Sequence, residues 1–281
     1  MRVGLTIFAT DRAIAPAELA REAEARGFHS LYLPEHTHIP VSRRTPPPTG
    51  EAELPEEYKR TLDPCVALAA AAAVTSRIRL GTGIALVAQH DPIVLAKSLA
   101  TLDHLSGGRL VLGVGYGWNR EEMESHGVDV KRRRAVVREH VLAMQALWRD
   151  DVAGFEGEFV RFEPCWQWPK TVQRPGPPVL LGGAAGPTLF AHAAEFGHGW
   201  LPIGGAGLRA ALPALRRAFE ARGRDPDEIH VAPMGVLPDE GKLAHYAEIG
   251  VSEAVLRLPS APRDTVLPLL DDYARFVPGR G

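Results

Sequence analysis

Hydrophobic positions along the chain fall into eight short runs, and each run is followed by a segment in which apolar residues recur at helical spacing. In the clearest of these helices, over residues 131–148, Val137, Val141, Met144 and Trp148 form one apolar stripe. The predicted strands cover residues 3–8, 30–33, 78–86, 109–114, 179–181, 199–203, 230–237 and 253–258.

Helix starts and insertions complete the pattern. Asp63-Pro64 and Asp91-Pro92 predict helix starts, because aspartate caps an N-terminus and proline suits the first helical position. Two stretches interrupt the alternation: residues 37–62 after strand two, and residues 154–178 between helix four and strand five. The second alternates aromatic and polar residues, as in a hairpin, and then becomes rich in proline. Both predict insertions on the surface of one domain.

Strands that alternate with helices are typical of parallel α/β folds. Eight such pairs in 281 residues predict a (β/α)8 TIM barrel that forms a single domain over residues 1–281. A doubly wound open sheet gives similar alternation, so the count alone leaves both architectures open. The positions of the polar and glycine-rich clusters favour the barrel. They follow strands two, four and five, with another inside strand three, where a barrel has its mouth.

The composition of the chain argues against several classes of function. With 45% hydrophobic residues the chain can bury a large core, and a formal net charge of -2 gives no field that attracts nucleic acid or an anionic membrane. We find no targeting segment and no apolar run of about 18 residues, so we expect no membrane association. Cys65 and Cys165 form no zinc or disulfide pattern, which fits a cytoplasmic protein.

The segment after strand four contains Gly113, Gly115 and Gly117. It does not match a dinucleotide fingerprint, because Trp118 stands where GxGxxG requires its third glycine and we expect no helix to begin there. No P-loop, GxSxG or HExxH motif occurs. The sequence therefore offers no support for the commonest phosphoryl-transfer, serine-hydrolase and zincin activities.

Two histidines, His36 and His38, follow strand two and resemble an HxH metal pair. Catalytic zinc needs at least three protein ligands, and strands five, six and eight end without ligand side chains, so we expect no metal. Two interpretations of Glu35 and His36 stay open: a hydrogen-bonded polar cap on the strand, or groups that transfer a proton near neutral pH.

Residues 182–186 join strand five to a helix that opens with Pro187. Their backbone amides suit a phosphate at the helix N-terminus, although a tight turn that tolerates glycine gives the same pattern. We interpret residues 132–134, three consecutive arginines, as the solvated start of helix four. Trp166 and Trp168 either pack the insertion or line a substrate pocket.

Four stretches of the chain carry a further signal. They are SLYLPEHTHIP at 30–40, RLGTGIAL at 79–86, DPIVLAKSLATLDHLSGGRLVLGVGYGWNREE at 91–122 and PPVLLGG at 177–183. Together they resemble the luciferase-like monooxygenase family and, within it, the coenzyme F420-dependent oxidoreductases of actinobacterial type. The resemblance covers essentially the whole chain. It implies a barrel that holds the deazaflavin F420, or FMN, at the carboxyl ends of its strands, and a homodimer.

The resemblance also implies roles for the candidate residues. His36, with His38, would handle the proton that accompanies hydride transfer, and Glu35 would contact the cofactor. The peptide bond between Gly83 and Ile84 would be cis, against one face of the ring. Further cofactor contacts are implied for Gly115, Tyr116, Gly117, Gly182, Gly183 and Ala184, and we expect the substrate pocket to include Trp118, Trp166 and Arg257.

An aromatic pocket wall predicts a small, hydrophobic or cyclic organic substrate. A sugar phosphate is disfavoured, since Trp118 stands where sugar-phosphate dehydrogenases of the family have a glutamate. An F420-dependent oxidoreductase is the first hypothesis. The alternatives are a monooxygenase that uses reduced FMN and a flavin-binding barrel without catalysis.

Overall fold

The computed structural model describes residues 1–47, 50 and 53–279. Residues 48, 49, 51 and 52, in the predicted insertion after strand two, lie outside the described residues, as do residues 280–281. The strands in the described part are β1 (Arg2–Thr6), β2 (Ser30–Leu33), β3 (Arg79–Thr82), β4 (Leu110–Val114), β5 (Ala153–Glu156), β6 (Arg161–Cys165), β7 (Val179–Gly182), β8 (Gly199–Leu201), β9 (His230–Val231), β10 (Met234–Val236) and β11 (Glu253–Arg257). The α-helices there are α1 (Pro16–Ala25), α2 (Pro64–Ala72), α3 (Pro92–Ser106), α4 (Arg120–Ser125), α5 (Arg133–Arg149), α6 (Pro187–Phe196), α7 (Leu208–Glu220), α8 (Glu240–Glu248) and α9 (Arg263–Ala274).

Nine strands form one curled parallel sheet in the order β10-β11-β1-β2-β3-β4-β7-β8-β9. Its two end strands, β9 and β10, are separated in sequence by Ala232 and Pro233 alone. Backbone bonds continue through this gap, since Ala232 N donates to Trp200 O (2.9 Å) and Met234 N donates to Pro202 O (2.8 Å). The sheet therefore curls until its end strands are consecutive pieces of one segment.

The predicted α/β alternation is confirmed, with changes in two strands. The predicted seventh strand is divided into β9 and β10, because Pro233 has no N–H to donate to a neighbouring strand. The predicted third strand is too long: β3 ends at Thr82, and the chain passes through a cis peptide bond between Gly83 and Ile84 to a 3₁₀ helix, Val87–Gln89. Apolar residues continue past the end of β3 because they pack at the mouth, where the carboxyl ends of the strands of the curled sheet meet.

A short helix, α4, begins two residues after Trp118, so the expectation that no helix begins there is wrong. Asn119 occupies the N-cap position with an extended backbone, and Glu121 and Glu122 lie in the first turn. Negative side chains in that position stabilise the start of a helix through its dipole. A dinucleotide fingerprint remains absent, because Trp118 still occupies the position of the third glycine.

Helix starts follow the predicted caps. The Asp63 carboxylate accepts from Val66 N at 2.9 Å, and the Asp91 carboxylate accepts from Ile93 N and Val94 N, each at 2.9 Å. Within the second predicted insertion, β5 and β6 form an antiparallel pair outside the main sheet.

The core has two clusters. The larger one joins the helices to the sheet. The smaller one contains no helical residue and so lies on the concave face; it consists of Tyr32, Val111, Leu180, Leu201, Ala232, Met234 and Val255, with Ile84 packed against it. No helix among the described residues is long and apolar enough to span a membrane.

Candidate active site

Ile84 packs at the carboxyl ends of the strands, above the inner cluster. A Cβ added at Gly115 would overlap Ile84 Cδ1, and one added at Gly182 would lie 2.6 Å from Ile84 Cγ2. Glycines that follow β4 and end β7 therefore make the space that this side chain occupies. The cis Gly83-Ile84 bond implied by the family resemblance is present, and Ile84 forms an apolar floor for the mouth.

Glu35 holds the backbone that follows Ile84. Its side chain is buried, with 6% of the residue exposed, and both oxygens have partners. One accepts from Leu86 N at 2.6 Å and the other lies 2.7 Å from His90 Nε2. The hydrogen bond to Glu35 raises the pKa of His90 above its ordinary value. Glu35 thus ties β2 to the turn after β3, and these bonds occupy the carboxylate that the resemblance directs at the cofactor.

His36 forms a dyad with Glu122, a residue on α4. His36 Nδ1 lies 2.8 Å from one carboxylate oxygen of Glu122, and Thr37 N donates to the other at 3.3 Å. Glu122 is only 1% exposed. Sequence reasoning missed Glu122, although it lies inside the family-like stretch, because 86 positions separate it from His36.

The partners of His36 define which ring nitrogen carries the proton. A carboxylate only accepts hydrogen bonds and an indole N–H only donates them. Glu122 faces Nδ1, whereas Trp118 Nε1 donates to Nε2 at 3.4 Å. A neutral His36 therefore carries its proton on Nδ1 and presents a lone pair on Nε2. At 3.4 Å the bond from Trp118 is long, so Nε2 stays available to another donor.

Aromatic rings surround the same imidazole. The ring centroids of His36 lie 5.4 Å from Tyr58 and 5.7 Å from Trp118, and Phe8 lies 4.6 Å from Tyr58. Phe8 follows β1, whereas Tyr58 belongs to a 3₁₀ helix, Glu56–Lys59, in the insertion after β2. Neither residue was predicted as part of the site: Phe8 was placed at the end of the first strand, and a single aromatic residue in a loop, such as Tyr58, carries no periodic signal. The predicted aromatic wall therefore also contains residues from two other segments.

Ion pairs hold the 3₁₀ helix against the strand ends. The Arg257 guanidinium, at the end of β11, lies 3.6 Å from the Glu57 carboxylate, and Arg60 pairs with Asp11. The Arg257 side chain is 52% exposed. Arg257 therefore lies at the mouth, where it fastens the segment that carries Tyr58.

His38 and Trp166 lie apart from this group. His38 is exposed, its Nδ1 lies 3.0 Å from Thr37 Oγ1, and its ring faces His126 at 5.4 Å. Trp166 is 80% exposed and belongs to the second insertion, where neighbouring Gln167 donates to Ile93 O at 3.0 Å. Neither side chain shares the aromatic contacts of His36 among the described residues. No three histidine, cysteine or acidic side chains come together as a metal site in that part of the chain.

The loop between β7 and α6 has unused amide donors. In the described chain, the backbone N–H groups of Ala184, Ala185 and Gly186 donate to no partner. Gly183 has a φ of 142°, which favours glycine, and a Cβ at Gly186 would meet open space. Free amides at the start of a helix of ten residues fit a phosphate group.

Tyr116 connects the helix after this loop, α6, with the strand-four segment. Its hydroxyl lies 2.9 Å from Nδ1 of His192, a residue of α6. Burial raises the pKa of Tyr116 to about 12, so the hydroxyl keeps its proton at neutral pH. Gly117 has a φ of 77°, which a residue with a side chain rarely adopts. The predicted residues Gly115 to Gly117 thus lie between Ile84 and α6, the helix that follows the loop of free amides.

Comparison with known proteins finds relatives over most of the chain. An uncharacterized protein of Mycobacterium tuberculosis is 49% identical over 277 residues, 98% of each chain. An F420-dependent glucose-6-phosphate dehydrogenase of Kineococcus radiotolerans is 30% identical over 224 residues, which is 76% of this chain and 60% of that protein. The crystal structure of the monooxygenase RslO1 from Streptomyces bottropensis superposes with a TM-score of 0.79 and 25% identity, covering 98% of both chains.

A family assignment follows from the extent of these matches. The sequence model of the luciferase-like monooxygenase family matches residues 9–237. This range contains Ile84, the His36–Glu122 dyad, the Tyr58 segment and the loop of free amides at residues 184–186. The resemblance found in the sequence is therefore confirmed, and the chain belongs to the luciferase-like monooxygenase family, whose members are oxidoreductases.

Proposed function

We propose that this protein is an F420-dependent oxidoreductase that transfers a hydride between the deazaflavin and a small hydrophobic or cyclic organic substrate. The observation that carries the proposal is His36, which Glu122 orients against an aromatic wall at the same mouth that Ile84 floors. The relative named for F420-dependent dehydrogenation supports the cofactor. The complete (β/α)8 barrel is part of the proposal, with β9 and β10 acting together as its seventh strand.

The residues present fit a flavin-type cofactor. Ile84 offers an apolar surface to one face of a planar ring, and the amides of residues 184–186 offer donors to a phosphate. When bound, the deazaflavin accepts or supplies the hydride. The protein's own task is to hold substrate and ring in register and to manage the proton.

Proton transfer is assigned to His36. Its Nε2 lone pair accepts the proton of a substrate hydroxyl during oxidation, and the imidazolium returns that proton during reduction. Glu122 holds Nδ1–H and stabilises the positive charge that forms on the ring, as an acidic partner does for histidine bases in general. Glu122 therefore acts as a positioning residue for His36.

The substrate is expected to be apolar next to its reacting group. Tyr58 and Trp118 pack against His36, and Phe8 packs against Tyr58. Such aromatic walls favour hydrophobic or cyclic molecules. Trp118 cannot supply the acid chemistry of the glutamate that sugar-phosphate dehydrogenases of the family have at this position. A sugar phosphate is therefore not the substrate that we propose.

A monooxygenase that uses reduced FMN is the second candidate. It is favoured by the likeness to RslO1, a monooxygenase that is 25% identical over nearly the whole chain. Fluorescence titration of the purified protein with F420 and with FMN separates the two. Tight F420 binding supports the first proposal, whereas submicromolar FMN binding with no F420 binding reverses the ranking.

Turnover is tested with F420 and a set of cyclic and aromatic alcohols and ketones. We expect His36→Ala to lower turnover at least ~100-fold while F420 affinity stays within about tenfold, because general acid–base catalysis contributes that much to rate. His38→Ala is the neighbouring control, and its exposed position predicts turnover within about threefold of the native value. Unchanged turnover in His36→Ala would remove His36 from the mechanism.

The assembly and the location expected from the sequence also stay predictions. We propose a cytoplasmic homodimer with no affinity for nucleic acid. Sedimentation analysis of the purified protein checks the dimer, and a monomer at micromolar concentration would contradict it.

A further inference from the structure

Three arginines lie on the rim of the mouth and form no ion pair within the described part of the chain. Arg120 is the first residue of α4, and Arg133 and Arg134 are the first two residues of α5. Among the described residues, no carboxylate lies within ion-pair distance of these rim arginines, whereas the preceding Arg132 pairs with Glu158 at 2.7 Å. Because the whole chain carries a net charge of -2, this unpaired positive charge is a local feature.

The rim arginines are close enough to affect one another. Burial, followed by the charges of Arg134 and Arg120, lowers the pKa of Arg133 below its ordinary value. Arg133 donates one bond, from Nη1 to Val130 O at 2.6 Å, while its Nε is buried without a partner in the described chain. A partly buried guanidinium with an unused donor is unlike a fully solvated helix start, so the interpretation drawn from the sequence suits Arg132 but not Arg133.

The rim arginines border the cofactor site. The Arg134 guanidinium lies 5.6 Å from the Tyr116 ring centroid, and the Tyr116 hydroxyl contacts His192 of α6. His192 lies in the second turn of α6, and α6 begins directly after the loop of free amides, so the cluster faces the helix that starts at the predicted phosphate site. Arg120 extends the cluster toward Trp118, two positions earlier in the chain.

From this placement, we infer that the rim arginines bind the anionic side chain of F420 beyond its phosphate. This role rests on the proposed function and adds the residues that hold the rest of the cofactor. FMN ends in one phosphate, for which the amides of residues 184–186 provide enough donors. In F420 this phosphate is a diester, and the side chain continues beyond it with a chain of glutamate carboxylates. Guanidinium groups bind both kinds of oxyanion with paired hydrogen bonds, so three unpaired arginines match a ligand with several anionic groups.

Ligands that differ only in the side chain test the inference. The purified full-length protein is titrated by fluorescence with F420 and with the deazaflavin nucleoside that lacks the phosphate and the glutamates. The test variant is Arg133→Gln combined with Arg134→Gln, and the matched control is Arg132→Gln. We expect the double variant to bind F420 about tenfold or more weakly, because charge-assisted bonds are lost. Its affinity for the nucleoside should stay within about twofold, as should both affinities of the control.

Salt provides a second readout. If the rim arginines bind the anionic chain, added salt weakens F420 binding to the native protein more than binding to the double variant. An F420 affinity within twofold of native in the double variant overturns the inference, as does an equal loss of nucleoside binding. Equal native affinities for the two ligands overturn the inference but leave the proposed function standing. Failure of the native protein to bind either deazaflavin overturns both.

Discussion

Replacing Glu122 with glutamine keeps the shape of the side chain but turns one of its two terminal atoms into a donor. In the native site both carboxylate oxygens accept, one from His36 Nδ1 at 2.8 Å and the other from Thr37 N at 3.3 Å. If the new amide oxygen faces His36, the NH₂ group meets the Thr37 N–H. If the NH₂ group faces His36, the proton must move to Nε2, where it meets the indole N–H of Trp118. Either arrangement leaves buried donors opposed.

The size of the effect follows from the bond that is lost. A hydrogen bond to a charged acceptor contributes about 1.5–3 kcal/mol, and Glu122 is almost fully buried, so water does not replace it. If this energy orients His36 in the transition state, kcat falls by about 10- to 150-fold. KM should change by less than about threefold, because Glu122 is shielded behind the imidazole and does not touch the substrate.

The assay combines steady-state turnover of F420 with NMR of the histidine ring. Two-bond ¹⁵N–¹H correlation spectra report which nitrogen of His36 carries the proton, and a merely structural role would not change that pattern. Glu124→Gln on the same helix is the matched control, since Glu124 is exposed. A Glu122→Gln protein with native kcat and an unchanged His36 tautomer would refute the positioning role.

Two further predictions concern the support of the mouth. The raised pKa of His90 means that its pair with Glu35 stabilises the fold fully below the unfolded-state pKa, about 6.5, and loses this contribution as pH rises through the folded-state pKa. Urea unfolding should therefore show a deficit of about 1–2 kcal/mol in His90→Gln near pH 6 that shrinks toward pH 8; a deficit independent of pH would contradict this. Gly115→Ala should destabilise by about 1–3 kcal/mol because its methyl overlaps Ile84 Cδ1, and Ile84→Val, which lacks that atom, should relieve part of the loss in a double-mutant cycle; strictly additive losses would show that the two side chains do not meet.

The elements of the fold were predictable because their signals are local. Helix α2 begins where Asp63 precedes a proline, and α3 begins where Asp91 does, since a cap needs only the residues of the first turn. The end of β3 was not predictable in this way. Apolar residues after Thr82 read as more strand, but whether they pair or pack at the mouth depends on distant partners such as Gly182.

The division is similar at the candidate site. His36 and the glycine-rich loop at residues 182–186 each follow a predicted parallel strand directly. The sequence alone therefore predicted that both lie at the mouth of the barrel, where the carboxyl ends of such strands meet. It did not determine which neighbour each side chain would find. Glu35 and His36 are adjacent in sequence, yet Glu35 turns to Leu86 and His90, whereas His36 turns to Glu122.

By itself, the sequence determined the order of strands and helices, the caps and the family motifs, because each depends on residues near one another along the chain. The tertiary structure alone decided that Glu122 orients His36, that Tyr58 joins the aromatic wall, and that Arg133 lies close to the charges of Arg134 and Arg120. The physical reason is that hydrogen bonds, burial and charge pairing act across space. Segments as far apart as β2 and α4 meet only when the sheet has curled and its loops have packed over the mouth.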